Sequence, residues 1–438
     1  MIMPPFRRQN GETIMKVLII GSGGREHALA WKCSKSPKVD KIYCAPGNAG
    51  IDQLAEIVPL KADQFEELAD FAKKNEIDLT IVGMDDPLVG GIVDVFEKKG
   101  LRVFGPRKNA AILEGSKAFS KELMRKYDIP TAAYETFSDL EAAKHYLEGL
   151  DKFPVVLKAS GLALGKGVLI CEDLNSALEG ADKIMGKKAF GSAGDEMVVE
   201  EFLTGREVSV LAFVDGTHIR EMSSAQDYKR AGDGDTGMNT GGMGNISPSP
   251  FYTSEVQKFC QEKIFQPTVD AMKAEGREFK GIIFFGLILT EDGPKVLEYN
   301  CRFGDPEAQV VLPRMENDLI DVIEACIDGK LDQVELKFRP ETCVCLVLAS
   351  DGYPAAYEKG KRIQGLEAFE GLEDAFCFHA GTAFKDGKIV TNGGRVLGIT
   401  ALGKDMADAR QRAYEAADLV KFAGKYYRHD IAKIHLGE

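Results

Sequence analysis

An α/β and α+β multidomain protein is predicted, on three observations. The chain has 438 residues, too many for one ordinary core, which points to about three domains. Between residues 15 and 104, short apolar runs alternate with amphipathic stretches, the pattern of a doubly wound sheet. Past the turn at 128–131 this gives way to hairpins and glycine-rich loops, and past about 329 to short strands between turns.

Composition narrows the class. A hydrophobic fraction of 44% is ordinary for a globular chain. The nine cysteines are odd in number and include no C-x-x-C pair, so reduced thiols in a cytoplasmic protein are expected, Cys343 and Cys345 sharing one face of a strand. Acidic and basic residues are mixed at a net charge of -13, which leaves no nucleic-acid footprint. The longest apolar run, within 281–289, is far shorter than the roughly 20 residues of a membrane-spanning helix. Residues 1–14 lack the apolar core of a signal peptide and read as a disordered extension, with Met15 as an alternative start.

In the N-terminal part, strands are expected at 16–20, 41–45, 79–82 and 101–104. Helices are expected at 28–35, about 64–75 with Asp63 and Glu66 as a capping box, and about 89–99. The turn Gly21-Ser22-Gly23-Gly24-Arg25-Glu26-His27 suggests a dinucleotide site, but Glu26 stands at the third glycine and the second strand ends in Cys44-Ala45-Pro46 without an acid for a ribose. NAD is therefore not expected. Two readings remain for Gly23 and Gly24: amides at a helix start that hold a phosphate with help from Arg25, or tight strand–helix packing. This loop, the loop Pro46-Gly47-Asn48-Ala49-Gly50 and the loop around Asp85 all leave the C-terminal edge of the sheet. Ligands bind at that edge of open sheets, and a phosphorylated sugar is expected there.

In the middle part, a helix over about 109–127 carries Lys117. A strand at 153–158 delivers Lys158 to the loop SGLALGKG (160–167), followed by a return strand at 168–171. Ser160 and Gly167 depart from a Walker A loop, so the stretch is either a flexible phosphate cover that uses Lys166 or a solvated hairpin. The strand at 197–202 ends in acids that either meet a nucleoside or are simply solvated. Residues 223–244 have too many glycines for regular structure and read as a long functional loop, whose Asp227, Lys229, Arg230 and Asp235 suit an anionic substrate. After a helix at about 253–273 comes a hairpin of strands 281–290 and 296–300. Alternation puts Glu298 and Asn300 on one face and Leu297 and Tyr299 on the other. A carboxylate beside an amide oxygen suits a hard cation such as Mg2+, and Arg302 suits an anion; a half-exposed edge strand is the plain alternative. The C-terminal part shows strands at 342–348, 376–379 and 395–401 and a helix at about 406–419. It carries no clear catalytic constellation, and His379, His429 and His435 read as surface or structural groups.

The order and spacing of Lys117, Lys158, SGLALGKG, EEFLTGRE and LEYNCRFGDPE resemble those of ATP-grasp ligases. Longer runs, GSGGREHALAW, APGNAG, EGSKAF, SSAQDYKRAGD with DTGMNTGGMG, EYNCRFGDPE and TNGGRVLGIT, resemble the phosphoribosylamine–glycine ligase family, from about Met15 to the last helix. The resemblance implies an ATP-grasp fold with a Rossmann-like N-terminal domain at 15–116, an ATP-grasp domain at 117–330 with a lid at about 135–204, and a small C-terminal α+β domain at 331–438. It implies ATP- and Mg2+- or Mn2+-dependent joining of glycine to 5-phosphoribosylamine through glycyl phosphate, in purine biosynthesis. The protein is expected to be a monomer without nucleic-acid or membrane partners.

By the same resemblance Lys117 and Lys158 hold ATP phosphates beside Gly165, Lys166 and Gly167, Glu200 and Leu203 face the adenine, and Glu207 takes the ribose hydroxyls. Glu298 and Asn300 match the metal ligands, and Arg302 and Lys158 are the expected catalytic residues. Substrate is expected at Gly23, Gly24, Arg25, Gly47, Asn48 and Asp85, at Asp227, Lys229, Arg230, Gly241 and Gly242, and at Asp305, Pro306 and Glu307. Asp85 replaces a usual Glu, Ser160 an Asp, Ser22 an Asn and Met238 a Pro, departures that bear on sugar affinity and loop rigidity. The rivals are another ATP-grasp carboxylate–amine ligase, a biotin carboxylase, for which no biotin-attachment segment is seen, and a nucleotide sensor, which would not need the whole set of charged residues.

Overall fold

The structure is a computed structural model that describes residues 14–163 and 166–433. The N-terminal sheet is parallel, in the spatial order Glu56–Ile57, Val39–Pro46, Met15–Gly21, Leu79–Val82 and Val103–Phe104. Its central strand feeds two cores at once: Val17 and Ile19 face one apolar cluster, Leu18 and Ile20 the other. That double burial is why the strand reads as a continuous apolar run.

Three helix expectations are corrected. The helix Phe65–Lys74 has Gln64 as its N-cap and no capping box; the Gln64 side chain turns outward to accept from the Lys61 amide at 2.8 Å. The expected helix at 89–99 is two short helices, Asp85–Gly90 and Ile92–Lys98, broken at Gly91. The expected helix at 109–127 is also two, Lys108–Gly115 and Lys117–Lys126. Ser116 between them is extended, and its Oγ accepts from the Phe119 amide at 3.1 Å, so a side-chain cap starts the second helix where periodicity alone shows no break.

Two antiparallel four-stranded sheets form the middle of the chain. One has the order Tyr134–Phe137, Met197–Glu201, Val155–Ala159, Val168–Cys171, with helices Leu140–Glu148 and Leu174–Ala181 packed on it. The other has the order Ile219–Glu221, Arg206–Asp215, Lys280–Thr290, Gly293–Asn300. Lys280–Thr290 and Gly293–Asn300 are the expected hairpin, with one difference. Gly286 pairs with Glu298 and Leu287 with Val296, so Leu297 is an extra residue, a β-bulge. The bulge resets the alternation: Val296 and Tyr299 are in the core, whereas Leu297 is only half-buried.

The C-terminal sheet runs Gln226–Asp227, Gly244–Ser247, Thr342–Ser350, Arg395–Gly403, Ala375–His379, with Lys425–Tyr426 also paired to Thr342–Ser350. Helix Met406–Leu419 packs against it through Ala409, Ala413, Ala416 and Ala417. The stretch 223–244 is therefore not irregular throughout. Gln226–Asp227 joins the edge of the C-terminal sheet, and Arg230–Gly232 pairs with Thr236–Asn239 as a small hairpin. Gln226 pairs with Ile246 and Asp227 with Asn245, so this pairing brackets the small hairpin and no alternation along a single stretch marks it. Among the described residues no helix is long and apolar enough to cross a membrane.

Candidate active site

Lys158 stands on strand Val155–Ala159, which pairs antiparallel with Met197–Glu201 so that Glu200 lies diagonally across from it on the same face. Its Nζ lies 2.9 Å from Glu200 Oε2 and donates to the carbonyl of the bulged Leu297 at 3.0 Å. Lys121 Nζ reaches the same Glu200 oxygen at 3.1 Å and donates to Thr131 Oγ1 at 2.8 Å. Lys121 and Glu200 side chains are each 2% exposed, so this is a buried ion pair with shared charge. Burial pushes the Lys121 ammonium down to about 8, against the pull of Glu200. Glu200 Oε1 is buried with no hydrogen-bond partner among the described residues. Lys117 donates to the Gly161 carbonyl at 3.3 Å, and burial lowers its pKa against the attraction of Glu298. Ser160 ties the loop to the helix below it, since its Oγ accepts from the Ala118 amide at 3.1 Å. Lys166 is exposed and Gly167 buried; Gly165 lies outside the described residues.

From the opposite sheet, Gly293–Asn300 presents Glu298 and Asn300. Lys229 Nζ sits between two carboxylates, 2.7 Å from Glu207 Oε2 and 4.0 Å from Glu298 Oε1. Burial alone would lower the Lys229 pKa; Glu207 and Glu298 more than offset it and raise it. For Glu298 burial opposes ionisation, and Lys229, Lys158, Lys117 and Arg302 outweigh it, holding the carboxyl below its usual range. Leu203 is half-buried just beyond Glu200.

Arg302 is the hinge of the charge network. Its Nη2 donates to Asn300 Oδ1 at 3.1 Å and lies 3.4 Å from Glu114 Oε1 and 3.7 Å from Asp85 Oδ2. Glu114 also accepts from the Cys301 amide at 2.7 Å. Burial pushes Glu114 up to about 7, only partly relieved by Arg302. In Asp85 burial is outweighed by Arg302 and Arg25, and the carboxyl is held low.

Glu26 Oε2 accepts from the Gly23 amide at 2.6 Å and Oε1 from Arg25 Nε at 2.6 Å, so the chain's own carboxylate occupies that amide at the helix start. A Cβ at Gly83 would lie 2.3 Å from Glu26 Oε1, which is why glycine ends that strand. Gly24 sits against Gln309. Arg25 Nη1 donates to the Phe303 carbonyl at 3.1 Å and so braces the strand end that carries Arg302. Asn48 donates to the Ser22 and His379 carbonyls, each at 2.8 Å, and accepts from the Gly50 amide, holding Gly47 and its loop against the C-terminal sheet. His379 is buried, and burial pushes it down to about 4, the structural role expected of it.

Around the stretch after Arg302, Asp305 Oδ1 accepts from Gln309 at 2.7 Å and its carbonyl from Arg395 Nη1 at 2.7 Å. Glu307 is buried and accepts from Ser209 Oγ at 3.4 Å. Asp227 Oδ1 is buried without a partner among the described residues; burial and then the Glu307 charge push the Asp227 carboxyl well up. Gly242 has φ 110°, and a Cβ there would lie 2.6 Å from both Asp227 Oδ1 and Pro306 Cδ, so only glycine lets the two loops meet. Its neighbour Gly241 donates its amide to Tyr353 Oη at 3.1 Å. Arg230 points away, donating to Asn239 at 3.4 Å.

Sequence reasoning missed Glu114, Lys121 and Arg395. Glu114 and Arg395 lie inside runs already singled out, EGSKAF and TNGGRVLGIT. Lys121 lies one helical turn beyond Lys117, a spacing that puts both on one face.

Two facing antiparallel sheets, one delivering Lys158 and the other a carboxylate–amide pair, define an ATP-grasp protein. Residues 115–308 match the ATP-grasp (A) domain of phosphoribosylglycinamide synthetase, residues 15–114 its N domain and residues 343–434 its C domain. The chain is 51% identical over 418 residues to the phosphoribosylamine–glycine ligase of Caldanaerobacter subterraneus subsp. tengcongensis, covering 95% of this chain and 99% of that one. It is 50% identical to the ligase of the same name from Vibrio vulnificus, over 95% and 97% of the two chains. The crystal structure of phosphoribosylamine–glycine ligase from Thermotoga maritima superposes with a TM-score of 0.83 at 36% identity, over 95% of this chain and 100% of that one. Biotin carboxylase of Campylobacter jejuni shares the fold alone, with a TM-score of 0.72 at 16% identity over 98% and 96% of the chains. The chain belongs to the phosphoribosylamine–glycine ligase family.

Proposed function

We propose that this chain joins glycine to 5-phosphoribosylamine with cleavage of ATP, giving glycinamide ribonucleotide, ADP and phosphate in purine biosynthesis. The observation that carries the reading is the convergence of Lys158, Glu298, Asn300 and Arg302 on one strand end. It sits in a chain 51% identical to a ligase of that name over 95% of its length.

A carboxylate is a poor acyl donor until its oxygen becomes part of a leaving group. A glycine carboxylate oxygen attacks the γ-phosphorus of ATP as the bond to the bridging oxygen breaks, giving glycyl phosphate and ADP. The amine nitrogen of phosphoribosylamine then forms the amide bond as the acyl carbon–oxygen bond to phosphate breaks, and the proton lost from nitrogen leaves with the phosphate. Phosphoryl transfer asks the protein chiefly for positioning and charge neutralisation. Lys117 and Lys158 meet the phosphates, and the carbonyl of Leu297 and the carboxylate of Glu200 hold Lys158 in place. The unpartnered Glu200 Oε1 supports a nucleotide amino group beside it, with Leu203 below and Glu207 at the ribose. Arg302 stabilises the acyl phosphate and the tetrahedral oxygen. Asp85, Asp227, Lys229, Asp305 and Glu307 line the glycine and amine side.

Mg2+ or Mn2+ fits Glu298 and Asn300. The carboxylate is held ionised, the amide oxygen is two residues on, and among the described residues no group of three or more His, Cys, Asp or Glu forms an all-protein metal cage. A cation that shares its oxygens between one or two side chains and substrate phosphates needs no more. When bound, it supplies charge neutralisation on the phosphate oxygens.

The division at about 116 and 330 and a monomeric, cytoplasmic enzyme belong to the same reading. Eight of the nine cysteines are buried and all nine are free, in keeping with a reducing compartment. Purified protein should release ADP only when glycine and phosphoribosylamine are both present. ADP release that ignores both substrates overturns the assignment.

A further inference from the structure

The last described residues run along the small hairpin of the substrate loop. Arg428, whose side chain is 1% exposed, donates from Nη1 to the Arg230 carbonyl at 3.1 Å and to Asp235 Oδ1 at 2.8 Å. Its Nε and Nη2 donate to Asp430 at 2.8 and 2.6 Å, and its guanidinium lies 5.2 Å over the Tyr228 ring. Tyr426 Oη donates to the Ala231 carbonyl at 2.7 Å, the His429 amide to Asp233 at 2.8 Å and the Ala432 amide to Tyr228 Oη at 3.0 Å. In return the Gly234 amide donates to Asp430 Oδ2 at 2.8 Å. From Tyr228 to Asp235, most positions are gripped by this one segment.

Apart from this grip the hairpin is tied at its base, where the Thr240 amide and Oγ1 each donate to the Lys229 carbonyl at 2.8 Å, and by its own short pairing. Its strands pair only at Arg230 with Asn239 and Gly232 with Thr236, and Thr236–Asn239 is exposed throughout. Asp235 at the turn has φ 53°, in the left-handed region that Asp adopts more readily than most non-glycine residues. A two-stranded hairpin of this size is marginal by itself. Yet Lys229 directly precedes its first strand, and its Nζ reaches Glu207 at 2.7 Å and Glu298 at 4.0 Å across the candidate nucleotide site.

We propose that Arg428 is a positioning residue for Lys229: the C-terminal segment straps the substrate-loop hairpin and so sets the ammonium between Glu207 and Glu298. The inference rests on the functional reading above, in which those two carboxylates face the nucleotide and its metal. It assigns the C-terminal part, where the sequence shows no catalytic constellation, a part in catalysis at a distance.

The test compares Arg428→Met, the milder pair Tyr426→Phe with Asp235→Asn, Lys229→Ala, and Arg428→Met combined with Lys229→Ala, all in the full chain. Arg428→Met should lower kcat/KM for ligation by tenfold or more and speed protease cleavage within 230–239. The Tyr426→Phe, Asp235→Asn pair should move both readouts the same way by less, and it carries the test where Arg428→Met fails to fold. A purely structural arginine would act independently of Lys229; a positioning one would not. Adding Arg428→Met to Lys229→Ala should therefore change kcat/KM by less than twofold. Folded Arg428→Met protein with normal kcat/KM, or losses that multiply fully in the double variant, overturns the proposal. If the unaltered protein fails to ligate glycine to phosphoribosylamine, the functional reading falls; the strap then stands or falls on the protease comparison.

Discussion

Replacing Arg302 by alanine is the sharpest single perturbation of this site. The guanidinium meets Asn300 at 3.1 Å, Glu114 at 3.4 Å and Asp85 at 3.7 Å, and it donates to the Phe303 carbonyl at 3.4 Å. Its Nε is buried with no partner among the described residues, so a donor is held ready for an anion. Removing one preorganised donor to a developing oxyanion typically costs about 3 to 4 kcal/mol of barrier, a fall in turnover of roughly a hundredfold to a thousandfold. The fold should survive. Glu114 is already pushed up to about 7, and without Arg302 it takes a proton near neutral pH rather than remain a buried lone charge. The assay is kcat for ADP release at saturating glycine, phosphoribosylamine and ATP, alongside thermal unfolding. Arg302→Lys should recover only part of the loss, because an ammonium lacks the planar fork that meets Asn300 and Glu114 while keeping Nε free. Near-normal turnover in folded Arg302→Ala protein would refute the assigned role.

Three further predictions concern the same network. Glu114 has a folded-state pKa of about 7 against an ordinary 4.5, so between those values the native state binds the extra proton. Its contribution to stability then falls as pH rises through that window, by up to about 3 kcal/mol, and urea unfolding of Glu114→Gln should lack this part of the slope. Gly242→Ala would place a Cβ 2.6 Å from Asp227 Oδ1 and Pro306 Cδ at φ 110°. Backbone strain of that kind costs about 1 to 3 kcal/mol, and displacement of the two loops should cut kcat/KM by roughly tenfold or more. Chelation of divalent cations should abolish ADP release, with Mg2+ restoring it; Glu298→Gln should raise the Mg2+ concentration needed, and an unchanged Mg2+ dependence would count against Glu298 as a ligand.

Much of the site is legible along the chain because its parts are local. The strand–loop–strand around Lys158 and the hairpin ending at Arg302 are each a short stretch whose apolar pattern sets its own geometry. Even so, alternation misplaces Leu297, since a β-bulge is decided by the partner strand. Helix breaks at Gly91 and Ser116 are missed for a different reason: a left-handed glycine and a serine N-cap are local signals, but apolar periodicity does not register them. At the first glycine turn, Glu26 is visible as a departure from a dinucleotide motif, but its hold on the Gly23 amide appears only when the strand ends are brought together.

The sequence alone determines the fold class, the family resemblance, the absence of a dinucleotide fingerprint, and the lysines, carboxylate and arginine on which the chemistry turns. These rest on residue types at short, fixed spacings. Tertiary structure decides which charges meet: Glu200 between Lys121 and Lys158, Glu114 under Arg302, Arg395 from the C-terminal sheet against Asp305, and Arg428 on the hairpin of Lys229. Each of these pairings joins elements distant in the chain, and a buried charge depends on whichever partner folding brings within about 3 to 4 Å.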